Sequence, residues 1–76
     1  MEEKTIIIER QTHYNSDWEV LKEIKYNKRN LESARRQAKK LIQKEENYQI
    51  HVVALGPDDP YFQEFYYDDG GVKRLF

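Results

Sequence analysis

The chain has 76 residues, of which 38% are hydrophobic and 36% charged, and its net charge is -1. A chain of this length buries only about 60% of the surface that its unfolded form exposes, so we expect a single domain over residues 1–76 with a thin core. The absence of cysteine excludes disulfides and thiolate metal sites. No apolar run approaches the roughly 20 residues that span a bilayer. We therefore expect a soluble, cytoplasmic protein without a membrane partner.

The first part of the chain predicts a hairpin of two strands. Residues 5–12 are rich in β-branched side chains. Alternation places Ile6 and Ile8 on one face of this strand and Ile7 on the other. Turn-forming residues follow at 14–17, and the segment WEVLKEIKY then alternates as a second strand. Its predicted apolar side, which Lys22 interrupts, consists of Trp18, Val20, Ile24 and Tyr26.

The second part predicts a helix and further strands. Asn30 is a suitable N-cap, and the apolar residues behind it recur at helical spacing, which predicts an amphipathic helix over residues 31–46. Residues 48–55 predict a third strand, with Ile50 and Val52 facing the helix and His51 facing away from it. A fourth strand is expected between the turns GPDDP and DDGG. The final segment, VKRLF, forms either a short fifth strand or a frayed tail.

These elements predict an α+β fold with two layers and the order ββαββ. One helix packs on one face of an antiparallel sheet of four strands, or of five if VKRLF is a strand. The helix between the second and third strands requires a crossover connection, and the strand order is left open.

Four segments carry a resemblance to a known family: SDWEV with Trp18, LESARRQAKKLI with Ala34 and Ala38, YQIHVVALG, and FQEFYYDDGG. With these segments the chain resembles a family of short bacterial proteins of unknown function that share the ββαββ order. The resemblance covers residues 5–71. It implies the fold, but the family has no assigned activity, so the resemblance assigns no functional residues.

The sequence favours no catalytic or metal chemistry. The two serines, Ser16 and Ser33, lie in a predicted turn and in the first turn of the predicted helix, where capping roles explain them. The two histidines, His13 and His51, have no nearby set of partners for a triad. The aspartates of GPDDP and DDGG lack the spacing of a calcium loop. We expect no enzymatic activity, no cofactor and no bound metal.

The segment YFQEFYYDDGG, residues 61–71, predicts a binding surface. A period of two places Tyr61, Phe65 and Tyr67 on one face of the strand and the second aromatic set on the other. One helix covers only one face of a sheet, so an aromatic, acid-rimmed patch is expected on the other face. A protein partner suits this patch, most simply a second copy in a homodimer with stacked sheets. Aromatic pairs that only stabilise the sheet are the alternative. The predicted protein-binding residues are Phe62, Glu64, Tyr66, Asp68 and Asp69.

The predicted helix offers a second candidate surface. Residues 28–44 contain seven cations and one anion. The cations on the side opposite the apolar stripe would neutralise phosphates, which predicts nucleic-acid binding as the alternative function. A solvated helix face explains the same residues, and the net charge of -1 weighs against nucleic acid. The predicted nucleic-acid-binding residues are Arg35, Arg36, Lys39, Lys40 and Lys44.

Overall fold

A computed structural model of the chain describes residues 4–55 and 60–75, and it shows one helix packed on a five-stranded antiparallel sheet. The helix, α1, spans Lys28–Ile42. The strands are β1 (Thr5–Gln11), β2 (Glu19–Lys25), β3 (Gln49–Leu55), β4 (Pro60–Tyr67) and β5 (Val72–Arg74). The predicted α+β fold is confirmed, and VKRLF supplies the fifth strand.

The order of strands in the sheet is β2-β1-β3-β4-β5. Both β2 and β3 pair with β1 in antiparallel orientation, so they run parallel to each other. Parallel strands need a crossover connection, and α1 provides it by carrying the chain across β1. The two hairpins, β1–β2 and β3–β4, therefore meet side by side, with β1 and β3 at the centre of the sheet.

The core lies between α1 and one face of the sheet. The alternation predicted for β1 and β3 is confirmed, because the inward residues of both strands are fully buried. Ala34 and Ala38 of α1 are fully buried against them, and these small side chains let the helix approach the sheet closely. The inward residues of the two central strands are Ile6, Ile8, Ile50, Val52 and Ala54.

A β-bulge interrupts the first hairpin. Ile8 pairs with Lys22, whereas the next residue, Glu9, pairs with Val20. Leu21 is therefore an extra residue in β2, and the alternation of side chains between the two faces of the sheet shifts at that point.

The bulge divides the apolar side that the sequence predicts for the second strand. Ile24 and Tyr26 pack against the core under α1, as expected. Trp18 and Val20 lie on the opposite face of the sheet, so their predicted placement is wrong. Alternation predicts a single face only when the period of two is unbroken. Lys22 faces the helix and donates a hydrogen bond to a glutamine of α1 over 3.3 Å.

The ends of α1 also differ from the prediction. The N-cap is Asn27, whose side chain accepts a hydrogen bond from the backbone nitrogen of Asn30 at 2.7 Å. The predicted cap at Asn30 is thus three residues late. The helix ends before residue 46, because the side-chain amide of Asn47 donates to the carbonyl oxygen of Leu41 at 2.7 Å. Two asparagines three residues apart are both suitable caps, so the sequence does not discriminate between them.

The turn between β4 and β5 forms as predicted for DDGG. Gly70 has a φ of +92°, a conformation that favours glycine. The backbone nitrogen of Gly71 donates to Oδ1 of Asp69 at 2.8 Å. Residues 56–59 of the predicted GPDDP turn, which include Asp58 and Asp59, lie outside the described residues. Within the described residues, no helix has the length and apolarity that crossing a membrane requires.

Candidate functional site

Over residues 62–67, strand β4 directs its two sets of side chains to the faces opposite to those predicted, whereas the side chain of Tyr61 lies outside the described part of the chain. Phe62, Glu64 and Tyr66 are 8%, 0% and 2% exposed and lie under α1. The prediction that these three form an exposed binding patch is therefore wrong. Asp68 and Asp69 are exposed in the following turn, as predicted. Burial of a carboxylate is costly unless the charge is paired, and here it is paired.

Three side chains hold the buried Glu64 carboxylate. One oxygen, Oε1, accepts hydrogen bonds from Nε of Arg35 at 3.1 Å and from the hydroxyl of Tyr66 at 2.9 Å. The other oxygen, Oε2, accepts a hydrogen bond from Nε of Arg74. We call these four residues the Glu64 network. The guanidinium groups of Arg35 and Arg74 compensate the negative charge of the carboxylate that folding removes from water.

Arg35 is therefore not part of the exposed ridge that the sequence predicts. Its side chain is 33% exposed, and its guanidinium lies 4.9 Å from the centre of the Phe62 ring. The other predicted ridge residues are exposed, and none of them takes part in an ion pair within the described residues. These remaining residues, which we call the helix ridge, are Arg36, Lys39 and Lys40 of α1 and Lys44, which lies two residues beyond the end of the helix rather than on it as predicted.

Burial raises the pKa of the Tyr66 hydroxyl above its usual range, and the hydrogen bond to Glu64 raises it further. A charged Tyr66 would be a buried phenolate beside the Glu64 carboxylate. Tyr66 therefore acts as a hydrogen-bond donor in the folded protein.

We expect this pKa to make the protein less stable in alkali. Above about pH 10 the unfolded chain releases the Tyr66 proton while the folded chain keeps it, so the free energy of unfolding falls as pH rises. The contribution of Tyr66 to this fall in the free energy of unfolding approaches about 1.4 kcal/mol per pH unit. Urea unfolding between about pH 7 and about pH 11 measures it.

Tyr66→Phe is the control for this slope. The variant should lose about 1 kcal/mol near neutral pH, because one hydrogen bond to Glu64 is missing. Its stability should then depend less on alkaline pH than that of the native chain. An equal slope in both proteins would contradict the assignment to Tyr66.

On the sheet face opposite α1, which we call the open face, three rings form an aromatic cluster. The rings of His51 and Phe65 stack with their centroids 4.3 Å apart and an interplanar angle of 11°. Trp18 lies over both, with its centroid 5.7 Å from that of His51 and 6.4 Å from that of Phe65. The predicted placement of His51 away from the helix is confirmed.

The loop before β2 brings Trp18 onto the open face. The hydroxyl of Ser16 accepts hydrogen bonds from the backbone nitrogens of Thr12 and His13 at 3.1 and 3.2 Å. The side chain of Gln11 donates to the carbonyl oxygen of Ser16 at 2.9 Å. These bonds close the loop over residues 11–16 and set the direction in which the chain enters β2.

Glu9 holds the histidine of the cluster. Its Oε1 lies 2.6 Å from Nδ1 of His51, on the adjacent strand of the sheet. The second ring nitrogen, Nε2, is buried and has no hydrogen-bond partner within the described part of the chain. The contact between Glu9 and Nδ1 therefore orients the His51 ring for stacking on Phe65.

Apolar residues surround the aromatic cluster on the open face. Trp18, Val20 and Leu55 are 38%, 52% and 37% exposed, which is unusual for large apolar side chains on the same sheet face. The apolar residues of this face outside the aromatic cluster are Ile7, Val20, Val53, Leu55 and Tyr67. Its exposed or partly exposed charges carry both signs: Glu9, Glu23, Lys25 and Lys73.

Sequence reasoning missed two members of these sites. Arg74 lies opposite Glu64 in the β4–β5 hairpin, and the register set by the DDGG turn is the signal that would have found it. Trp18 was identified as apolar but placed on the other face. The β-bulge at Leu21 causes this error, and the residues of β2 do not indicate its position.

The described residues contain no group of three or more histidine, cysteine, aspartate or glutamate side chains that could hold a metal ion. Comparison of the chain with models of protein families, with curated proteins and with solved structures finds no match. The resemblance to short bacterial ββαββ proteins stays a prediction.

Proposed function

We propose that the protein is a non-catalytic binding domain that pairs with a second copy of itself through the open face. The observation that carries this proposal is the exposure of Trp18, Val20 and Leu55 on one sheet face, with the first two at the aromatic cluster and Leu55 at the other end of β3. An antiparallel sheet with one face toward water normally carries polar side chains on that face. An exposed apolar face of this kind is typical of a protein contact, and tyrosine, tryptophan and phenylalanine are enriched in such contacts.

The charges of the open face favour a second copy over other partners. Glu9, Glu23 and Lys25 lie on the β1–β2 side of this face, and Lys73 lies on the β5 side. In a two-fold contact the same patch meets itself, so a patch that carries both signs offers its charges opposite partners on the second copy. Single-stranded nucleic acid also stacks on sheet aromatics, but it requires a positively charged track, which this face lacks.

The size of the open face sets the expected affinity. Five strands about 4.8 Å apart and about seven residues long present roughly 500 Å² in projection. A stable interface of standard size buries about 800 Å² on each partner. We therefore expect a dimer that dissociates at micromolar concentrations rather than an obligate one.

Sedimentation over a wide range of protein concentration tests this dimer, with a matched pair of variants. Val20→Lys places a charge in the apolar part of the open face and should weaken dimerisation at least tenfold, about 1.4 kcal/mol. Val72→Lys makes the same change at a similarly exposed valine, 45% against 52%, on the helix side of the sheet. It should leave the dimer unchanged.

Two results would overturn the proposal. One is a monomer at every concentration up to about 1 mM, since a contact weaker than this would leave the protein monomeric at ordinary concentrations. The other is a dimer that Val20→Lys and Val72→Lys weaken to the same extent, because the contact would then not lie on the open face.

Nucleic-acid binding through the helix ridge is the second candidate. Its supporting observation is that Arg36, Lys39, Lys40 and Lys44 are exposed and unpaired within the described residues. The engagement of Arg35 by Glu64 removes one cation from the predicted surface, and the net charge of -1 places this candidate second.

Fluorescence anisotropy with labelled duplex and single-stranded oligonucleotides at low salt tests the second candidate. Reversing the charges of Arg36 and Lys40 to glutamate should weaken binding at least tenfold, since each cation that meets a phosphate releases counterions. The matched control reverses Lys25 and Lys73 on the open face and should have a smaller effect. Absence of binding by the native chain at low salt would exclude this candidate.

A further inference from the structure

A groove separates the second half of α1 from the β4–β5 hairpin. It consists of two neighbouring cavities that share Lys39, Tyr66 and Val72 in their walls. The cavity of about 360 Å³ also contacts Arg74, and the cavity of about 260 Å³ extends past Ile42 toward the turn. We call this feature the hairpin groove, and it lies on the helix side of the sheet, away from the open face.

One end of the hairpin groove is cationic. Arg74 uses Nε to bind Glu64, and no other hydrogen bond of its guanidinium occurs within the described residues. Its two terminal nitrogens therefore remain as donors for a further acceptor. Lys39 is exposed on the facing helix and has no ion pair in the described part of the chain. Two cations from different elements thus face one cavity.

The buried Glu64 cancels only part of this charge. Its one negative charge is shared by two guanidinium groups, those of Arg35 and Arg74, so a net positive charge remains beside Lys39. Glu64 also orients Arg74, because a guanidinium held at Nε has fewer conformations to lose when it binds an anion.

The other end of the groove is apolar and then acidic. Ile42, Tyr66 and Val72 line the 260 Å³ cavity, which reaches Asp68 at the turn. A ligand with a second anionic group would place that group against Asp68. The geometry therefore favours one acidic group at the cationic end and an uncharged apolar body beyond it.

We propose that the hairpin groove binds a small organic anion with a single acidic group. Its carboxylate or phosphate ester group contacts Lys39 and Arg74, and its apolar body packs on Ile42, Tyr66 and Val72. Arginine and lysine are the side chains that bind such groups most strongly. The two neighbouring cavities, of about 260 and about 360 Å³, together lie within the size range of small-molecule pockets. This site does not depend on the function proposed for the open face.

Titration of the ¹⁵N-labelled protein, followed by NMR, tests this site with defined probes. Hexanoate and phenyl phosphate represent the two acidic groups, and hexanamide is the neutral match of hexanoate. Both acids should cause saturable shifts of the amide signals of Lys39, Tyr66 and Val72, with dissociation constants at or below about 1 mM. Hexanamide should bind at least tenfold more weakly. The tighter of the two acids identifies the acidic group that the site prefers.

Two variants assign the binding to the cationic end. Lys39→Gln should weaken binding of the preferred acid at least fivefold, because it removes one of the two cations. Lys40→Gln, at the next and also exposed position of α1, should leave it unchanged. The proposal is wrong if neither acid gives saturable shifts up to about 20 mM. It is equally wrong if hexanamide matches hexanoate, or if Lys39→Gln and Lys40→Gln bind alike.

Discussion

Replacing Arg35 by methionine is expected to lower the free energy of unfolding by about 2 to 3 kcal/mol. Glu64 is fully buried, and Arg35 supplies one of its two compensating charges. Methionine keeps an apolar stem over the Phe62 ring but leaves the carboxylate with Arg74 and one hydroxyl. Breaking a fully buried ion pair costs about 3 to 5 kcal/mol, and the partial exposure of Arg35 places the expected loss below that range. Urea unfolding followed by circular dichroism measures the loss.

Arg36→Met is the matched control for this prediction. Arg36 is the next residue of α1, is exposed, and has no ion pair within the described residues, so its loss should change stability by no more than about 0.5 kcal/mol. Glu64→Gln gives a second comparison, since Arg35→Met should cost much less once no buried carboxylate remains. Equal costs in the two backgrounds would show that Arg35 acts only through packing.

Trp18→Ala should lower the free energy of unfolding by about 2 kcal/mol. The indole covers the stacked rings of His51 and Phe65, and its removal exposes both to water. Full burial of a tryptophan would predict a larger loss, but Trp18 is 38% exposed. Measurement at a protein concentration below that of the proposed dimerisation separates this effect from any contact between copies.

Tyr14→Ala provides the comparison within the same loop. Tyr14 is 73% exposed, so its truncation should change stability by no more than about 0.5 kcal/mol. Trp18 is the only tryptophan, so its fluorescence reports on the cluster in the native chain and in Tyr14→Ala, whereas Trp18→Ala requires circular dichroism. Equal losses in the two variants would mean that Trp18 does not cover the aromatic cluster.

Much of the fold could be predicted from the sequence because most of its elements have regular periods. The alternation of Ile6, Ile7 and Ile8 separated the two faces of β1, and the same reasoning identified the inward face of β3. The alanines of α1 identified the side of the helix that meets the sheet. The β4–β5 turn followed from its glycines, because Gly70 adopts a positive φ.

The candidate sites were less predictable because they depend on pairing between distant residues. The sequence pattern predicts Glu64 on an exposed face. Its burial is explained only by the approach of Arg35 from α1 and of Arg74 from β5. Trp18 was placed on the wrong face because an extra residue in β2, at Leu21, shifts the alternation. The hairpin groove forms where Lys39 of α1 and Arg74 of β5 lie close together in space, and no local sequence pattern specifies the distance between these two elements.

The segment YFQEFYYDDGG shows where the two kinds of information divide. By itself the sequence determined that this segment forms a strand with two aromatic sets, because successive side chains of a strand point to opposite faces. It did not determine which set the helix covers, since both contain aromatic rings and the period is the same for either choice. The tertiary structure decided this through charge: Phe62, Glu64 and Tyr66 lie inside because two arginines compensate the buried carboxylate. Phe65 and Tyr67 were thereby left on the open face, where Trp18 covers only part of the apolar surface.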